Sequence, residues 1–361
     1  MRIFYVFRYI AITLLVFQQG IAQIDSTVGS NREKSDLFIG DEPLNLKIIG
    51  DVRSLLRDRS DSPQYYPITM EYTEKDSNVM SMDLKAKTRG NFRLRIARCS
   101  YPPLWLNFPK KKIPEHSLFS GQDKLKLVVP CMGEDHVIRE YLVYKMYNLF
   151  TDYSFRVRLV RIHFTDVSNN KKHDPQLAFL LEANVLMAER NDAEIFKRDR
   201  IKGKYLSRSH FLRMAVFQYL IGNTDWSTEY RHNINLLKNT GESFPIPVPY
   251  DFDQCGFVGA PYAKPSEALK LSSVRERRYR GFCIDDLQEL SEVFNIFVDR
   301  RNDILELIND HKLLDDKSRK YLVKYVEEFY GIINDEKKRE RAFSYPCLEN
   351  GTANVIIRGL N

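Results

Sequence analysis

Apolar and polar positions alternate with a period of two through the first third of the chain. Leu44 to Ile49 and Tyr66 to Tyr72 read as strands. Met82 to Leu94 continues in the same style, with Arg89-Gly90-Asn91 as a turn. Leu104 to Phe108 and Lys124 to Val129 are shorter strands, stopped by Pro109 and Pro130. Over Asp135 to Phe150 the spacing changes. Val137, Tyr141, Tyr144, Met146 and Leu149 fall near a 3.6-residue period and predict a helix. Strands return at Arg156 to Phe164 and Ala178 to Ala183, around the polar turn Ser168 to Asp174. From Ser207 onward helical spacing dominates. Ser207 or Ser209 caps a helix with apolar positions Phe211, Leu212, Ala215, Tyr219 and Leu220, and Gly222 stops it. Asp285 to Phe297, Asp303 to Leu314 and Asp316 to Asn334 are amphipathic helices. This order predicts an α+β fold in two lobes. A strand-rich N-terminal lobe with one inserted helix covers 43–185, and a mainly helical C-terminal lobe covers 186–361. A ligand is expected in the crevice between them.

One hairpin interrupts the helical half. Asn233-Ile234-Asn235-Leu236-Leu237 alternates, Asn239-Thr240-Gly241 supplies a turn, and Phe244 to Tyr250 returns. Pro245, Pro247 and Pro249 occupy alternate positions, so their missing N–H groups face one way and that edge is predicted to be unpaired. A hairpin returns the chain to its origin. Asn233 and Asp251 therefore meet at its open end, and the loop carrying Asp225 arrives at the same place. Carboxylates and an amide gathered there suit a divalent metal and a phosphate. Asp225 is the candidate base, and Asn233, Asp251 and Asp253 are the candidate metal ligands.

Composition narrows the partners. The chain has 361 residues, 43% hydrophobic and 29% charged, as globular proteins do. Arg2 and Arg8, the apolar run Ile10 to Phe17 and Gly20-Ile21-Ala22 predict a signal peptide over 1–23, followed by a polar linker over 24–42. That implies an exported protein, periplasmic or secreted, with no transmembrane span after signal removal. The net charge is +7, or about +5 without the two arginines of that segment. A mild, mixed charge excludes a general nucleic-acid binder. The run Arg275-Glu276-Arg277-Arg278-Tyr279-Arg280 reads either as a solvated helix face or as a platform for phosphate or an acidic substrate. Five cysteines, Cys99, Cys131, Cys255, Cys283 and Cys347, show no zinc spacing. They allow one or two disulfides whose pairing is open.

Gly222-Asn223-Thr224-Asp225, Asn233 opening an alternating strand, and Pro249-Tyr250-Asp251-Phe252-Asp253 together resemble the CotH-like (spore coat protein H) atypical protein kinases. Arg89-Gly90-Asn91, the lysine-rich Leu104 to Lys112 and Phe179-Leu180-Leu181-Glu182 extend the resemblance over roughly residues 80 to 260. It implies a two-lobed protein-kinase-like fold. It also implies transfer of phosphate from ATP to a protein Ser or Thr hydroxyl with Mg²⁺ or Mn²⁺. Under it Asp225 is the catalytic base and Asn233 and Asp251 hold metal. Lys126 contacts nucleotide, with Lys124 next, and Arg89 and Glu182 border the nucleotide site. Arg139 or Glu140 bridges from the inserted helix. Two departures stand out: Trp226 to His232 lengthen the loop after Asp225, and no glycine-rich phosphate loop is present. The alternative function is a non-catalytic surface or envelope binding module whose acids hold a structural cation.

Overall fold

The alternating strands close into a barrel. The structure, a computed structural model, describes residues 36–343 apart from 74–77, 110–112, 170, 199 and 283–286. The expected signal segment, most of the linker, Cys283 and Cys347 lie outside the described residues. The strands are β1 (Leu44–Gly50), β2 (Tyr66–Thr73), β3 (Val79–Thr88), β4 (Leu104–Asn107), β5 (Lys124–Val128), β6 (Val157–Asp166), the two-residue β7 (Lys171–Lys172) and β8 (Gln176–Leu181). Seven of them are bonded in the order β1-β2-β3-β4-β5-β8-β6, and β6 returns to β1. Neighbours are antiparallel except β1 and β6, which run parallel from Leu44 opposite Val160 to Gly50 opposite Asp166. Among the described residues β7 pairs with the end of β6 alone.

This closure corrects the two-lobed protein-kinase-like fold expected above. The strand-rich part is a closed mixed barrel, the helices lie largely C-terminal to it, and the described residues belong to one compact unit. Periodicity records which face of a strand is buried. It does not record which strands become neighbours, and β1 uses both of its edges.

Strand parity builds two cores. Leu46, Ile48, Met70, Leu84, Leu106, Leu127, Ile162 and Leu180 fill the barrel interior. Val157, Leu159, Leu177, Phe179 and Leu181 face outward from β6 and β8 and join the helical core. Burial on both faces explains why β8 reads as a continuous apolar run. Against it packs α2 (Glu134–Asn148), which is buried on nearly every side.

The remaining helices are α1 (Val52–Arg57), α3 (Asn184–Arg190), α4 (Arg208–Leu220), α5 (Gln288–Asp299), α6 (Arg301–Asn309), α7 (Asp316–Ile333) and α8 (Glu336–Phe343). A second sheet has the order β11-β10-β9, from β9 (Ala193–Ile195), β10 (Ile234–Asn239) and β11 (Ile246–Pro249). β11 is its edge, where alternate prolines are tolerated. The expected strand Met82 to Leu94 stops at Thr88, and Phe92–Ile96 instead forms one π-helical turn closed by Ala97 N–H to the Phe92 carbonyl at 2.8 Å. Cys99 and Cys131 form a disulfide, while Cys255 is a buried thiol. Among the described residues no helix is long and apolar enough to cross a membrane.

Candidate functional site

Asn233 precedes β10 and Asp251 follows β11, and Tyr250 N–H donates to the Asn233 carbonyl at 3.0 Å. Both residues take left-handed backbone, with φ of 54° at Asn233 and 61° at Asp251. Asn and Asp tolerate this region better than other non-glycine residues, and such conformers cluster at functional sites. The Asp251 N–H donates to the Tyr144 hydroxyl of α2 at 2.9 Å, which fixes the turn against the helix beneath it.

The loop after α4 delivers Asp225. Gly222 ends the helix with φ 64°, where a Cβ would collide with the Tyr325 hydroxyl, so only glycine fits. Asn223 Oδ1 then accepts the Asp225 N–H at 3.0 Å, a local turn that sets the direction of the loop. Asp225 Oδ1 accepts from His232 Nε2 at 2.8 Å, and Oδ2 accepts from Asn233 Nδ2 at 3.1 Å. Asn233 Nδ2 also donates to the Asp225 carbonyl at 2.8 Å. With the amide nitrogen used twice on Asp225, the Asn233 Oδ1 is the atom left for a ligand. Ser227 and His232 exchange two backbone hydrogen bonds, both 2.9 Å, and close the intervening residues into a turn. Burial opposes protonation of His232, but its bond and proximity to Asp225 outweigh burial and raise its pKa.

The barrel supplies the opposite wall. Leu125 and Leu127 point into the barrel, so Lys126 between them points outward, 5% exposed, with Nζ 2.8 Å from Asp251 Oδ1. Burial lowers the Lys126 pKa, with Asp251 partly offsetting it. Burial opposes ionisation of Asp251, yet Lys126, then Arg93 and Arg89, hold its carboxyl well below the usual range. Arg89 lies over the Trp105 ring at 4.6 Å. Behind them Arg93, from the π-helical turn, bonds Asp253 Oδ2 at 2.8 Å and Glu140 Oε2 of α2 at 2.5 Å. Glu140 is 1% exposed. Burial, against the pull of Arg93 and with Asp253 and Asp251 adding to it, pushes its pKa up to about 7.

These residues line a cleft of about 120 Å³ that holds Arg89, Gly90, Arg93, Lys126, Asp225, His232, Asn233, Asp251 and Asp253. Two sequence candidates stand elsewhere. Lys124 is exposed at the start of β5, and Glu182 is bound by Arg190 Nη2 at 2.9 Å and by the Arg156 N–H at 2.9 Å. Arg139 turns away to Ser318 of α7 at 2.7 Å, leaving Glu140 as the bridging residue of α2.

The basic run over 275–280 is not a helix; Arg275 and Arg278 are exposed, while Arg277 and Arg280 are turned inward. Arg280 is buried over the Trp226 ring, and its Nη1 donates to the Thr224 carbonyl at 2.7 Å and the Trp226 carbonyl at 2.5 Å, clamping the backbone on both sides of Asp225. Arg277 stacks on Tyr325 at 3.7 Å. Sequence reasoning missed Arg93 and Arg280 as site residues. Arg93 lies 160 residues from Asp253, beyond any local pattern.

No protein-family profile matches this chain, and no curated protein matches it. Among solved structures it is similar to a Helicobacter pylori proinflammatory kinase, CtkA, at 11% identity and a TM-score of 0.38. The match covers 63% of this chain and 90% of that one. At that identity and TM-score the similarity decides neither fold nor activity.

The donor set bears on a divalent cation. Among the described residues no group of three His, Cys, Asp or Glu side chains is arranged to hold a metal ion by itself. Mg²⁺ in nucleotide sites, however, needs only one or two protein oxygens beside phosphates and water. Asn233 Oδ1 and the Asp251 oxygen not bonded to Lys126 stand on either side of the hairpin's open end and fit that need. The Asp253 oxygen Oδ2 is held by Arg93.

Proposed function

We propose that this cleft transfers the terminal phosphoryl group of ATP to a Ser or Thr hydroxyl of a protein. The observation that carries the proposal is the Lys126–Asp251 pair facing the Asp225–Asn233 pair across the open end of one hairpin. Lys126 and Arg89 form a cationic wall for the phosphate oxygens. Asn233 and Asp251 offer oxygens to Mg²⁺ or Mn²⁺, which when bound neutralises charge on the phosphates. Asp253 orients this set through Arg93. Asp225, steadied by His232 and Asn233, aligns the acceptor hydroxyl and takes its proton. The hydroxyl oxygen bonds to the γ-phosphorus, the bond to the bridging oxygen breaks, and ADP leaves with that electron pair. Lys124 and Glu182 take no part. The order of the CotH-like motifs supports the same roles, and we extend the proposal to membership of that group by motif and to export of the chain.

Thermal-shift titration with ATP, with and without Mg²⁺ or Mn²⁺, tests nucleotide binding, since a ligand of the native state raises its apparent stability. The expected result is a metal-dependent shift that Asp251→Ala loses and Asp225→Asn keeps. Transfer of labelled γ-phosphate to protein acceptors then falls by roughly 10²–10⁴-fold in Asp225→Asn. No shift with either metal favours the non-catalytic binding module instead.

A further inference from the structure

We infer that the acceptor presented to this site is an acidic polypeptide segment, docked on the basic residues Lys197, Arg198, Arg200, Lys202 and Lys204. This inference rests on the phosphotransfer reading and names its substrate class. These five residues follow β9 in a stretch of sequence that holds one acid, Asp199. All five cations are exposed. Among the described residues none of them forms an ion pair with a carboxylate, whereas nearby cations do, such as Arg190 with Glu182 and Arg208 with Glu289. Much of the positive charge near the cleft is already committed, and Arg89, over the Trp105 ring, is assigned to the nucleotide phosphates. Lys126 and Arg93 face Asp251, Asp253 and Glu140, and Arg277 and Arg280 are held on carbonyls and rings.

The described residues on both sides of position 199 are tied to the rest of the fold. Ile201 and Leu206 are buried in the helical core. Phe196 N–H donates to the Leu236 carbonyl at 2.8 Å and so extends the sheet. Two further bonds join these residues to the turn after Asp225. Arg200 N–H donates to the Glu229 carbonyl at 3.0 Å, and Arg231 Nη1 donates to the Lys197 carbonyl at 3.0 Å. That turn is the one closed by Ser227 and His232, and His232 in turn holds Asp225. A chain whose hydroxyl sits at Asp225 therefore has a continuous path over residues 227–232 onto unpaired positive charge. Tyr205 and Tyr230, 51% and 38% exposed, add rigid contact surface along it. Charge complementarity selects an anionic partner. A short cluster of five cations beside an acceptor site favours a polypeptide over nucleic acid or an anionic membrane, which engage longer basic stripes.

The test compares two Ser-containing peptides of equal length, one with Glu and Asp around the serine and one with Lys. The full chain is compared with a variant carrying Lys197→Glu, Arg198→Glu, Lys202→Glu and Lys204→Glu. Binding of the labelled acidic peptide is followed by fluorescence anisotropy in parallel with transfer. The wild type is expected to favour the acidic peptide by at least ~10-fold in kcat/KM at low salt, and to lose most of that at ~0.5 M salt. The variant should lose or invert the preference through KM, while its metal-dependent ATP shift stays unchanged. Equal use of both peptides by the wild type, or an unchanged preference in the variant, overturns the inference. So does binding of an oligonucleotide or of phosphatidylserine vesicles that depends on these residues, without binding of the peptide. If no peptide is phosphorylated and ATP produces no shift, the phosphotransfer reading fails, and the anisotropy difference between wild type and variant still decides whether these residues dock acidic chains.

Discussion

Arg93 and its neighbours set the electrostatics of the cleft. Two cations, Arg93 and Lys126, stand among three carboxylates, Glu140, Asp251 and Asp253. Burial, with Asp253 and Asp251 adding to it against the pull of Arg93, pushes the Glu140 carboxyl up to about 7. The unfolded chain releases the carboxyl proton near 4.5, so between about 4.5 and 7 the folded state binds more protons. Stability therefore falls as pH rises through that window and levels off above it. Glu140→Gln should remove much of this decline, on the order of a few kcal/mol, in urea denaturation repeated from pH 4.5 to 8. The same glutamine keeps an acceptor for Arg93, so the fold should persist. Asp225, Asn233 and Asp251 were legible in the sequence because a hairpin brings its own ends together. Arg93 and Glu140 were not legible as partners, since their pairing crosses 47 residues and two different elements.

At the scale of elements, the disulfide joins the segment after the π-helical turn to the start of α2, the two pieces that hold Arg93 and Glu140. With a sequence separation of 32, the chain-entropy model assigns it ~3–4 kcal/mol. Cys99→Ser with Cys131→Ser should lower stability by about that amount in denaturant titration. The metal-dependent ATP shift should weaken as well, because Arg93 loses its tether. A variant with wild-type stability would show that packing alone holds the turn. Long elements with clear periods, such as β2, α4 and α7, were readable from spacing. Phe92-Arg93-Leu94, the start of the π-helical turn, read as the end of a strand because it alternates while its backbone coils. α1 and α3 are six and seven residues long, too short for a period to show, and contacts with the barrel and the second sheet hold them.

At the scale of the molecule, stability depends on closure. Ile48 is fully buried in β1, opposite Met70 on one side and Phe164 on the other. Ile48→Ala leaves a cavity at the strand that joins both edges of the sheet, and should cost ~2–5 kcal/mol in urea denaturation. An effect below ~1 kcal/mol would mean that β1 is dispensable to the barrel. Cleft formation belongs to this scale as well. β5 carries Lys126 out of the barrel wall, and the hairpin brings Asp251 to meet it across 125 residues.

The sequence by itself determined the types of the long elements, the hairpin and the convergence of Asp225, Asn233 and Asp251, because each depends on residues close along the chain and on side-chain period. Only the tertiary structure decided the parallel β1–β6 closure, the pairing of Lys126 with Asp251, the Cys99–Cys131 pairing and the Arg93–Glu140–Asp253 cluster. Those contacts join positions tens to more than a hundred residues apart, and their geometry follows from how the strands close and the helices pack, which no local pattern encodes.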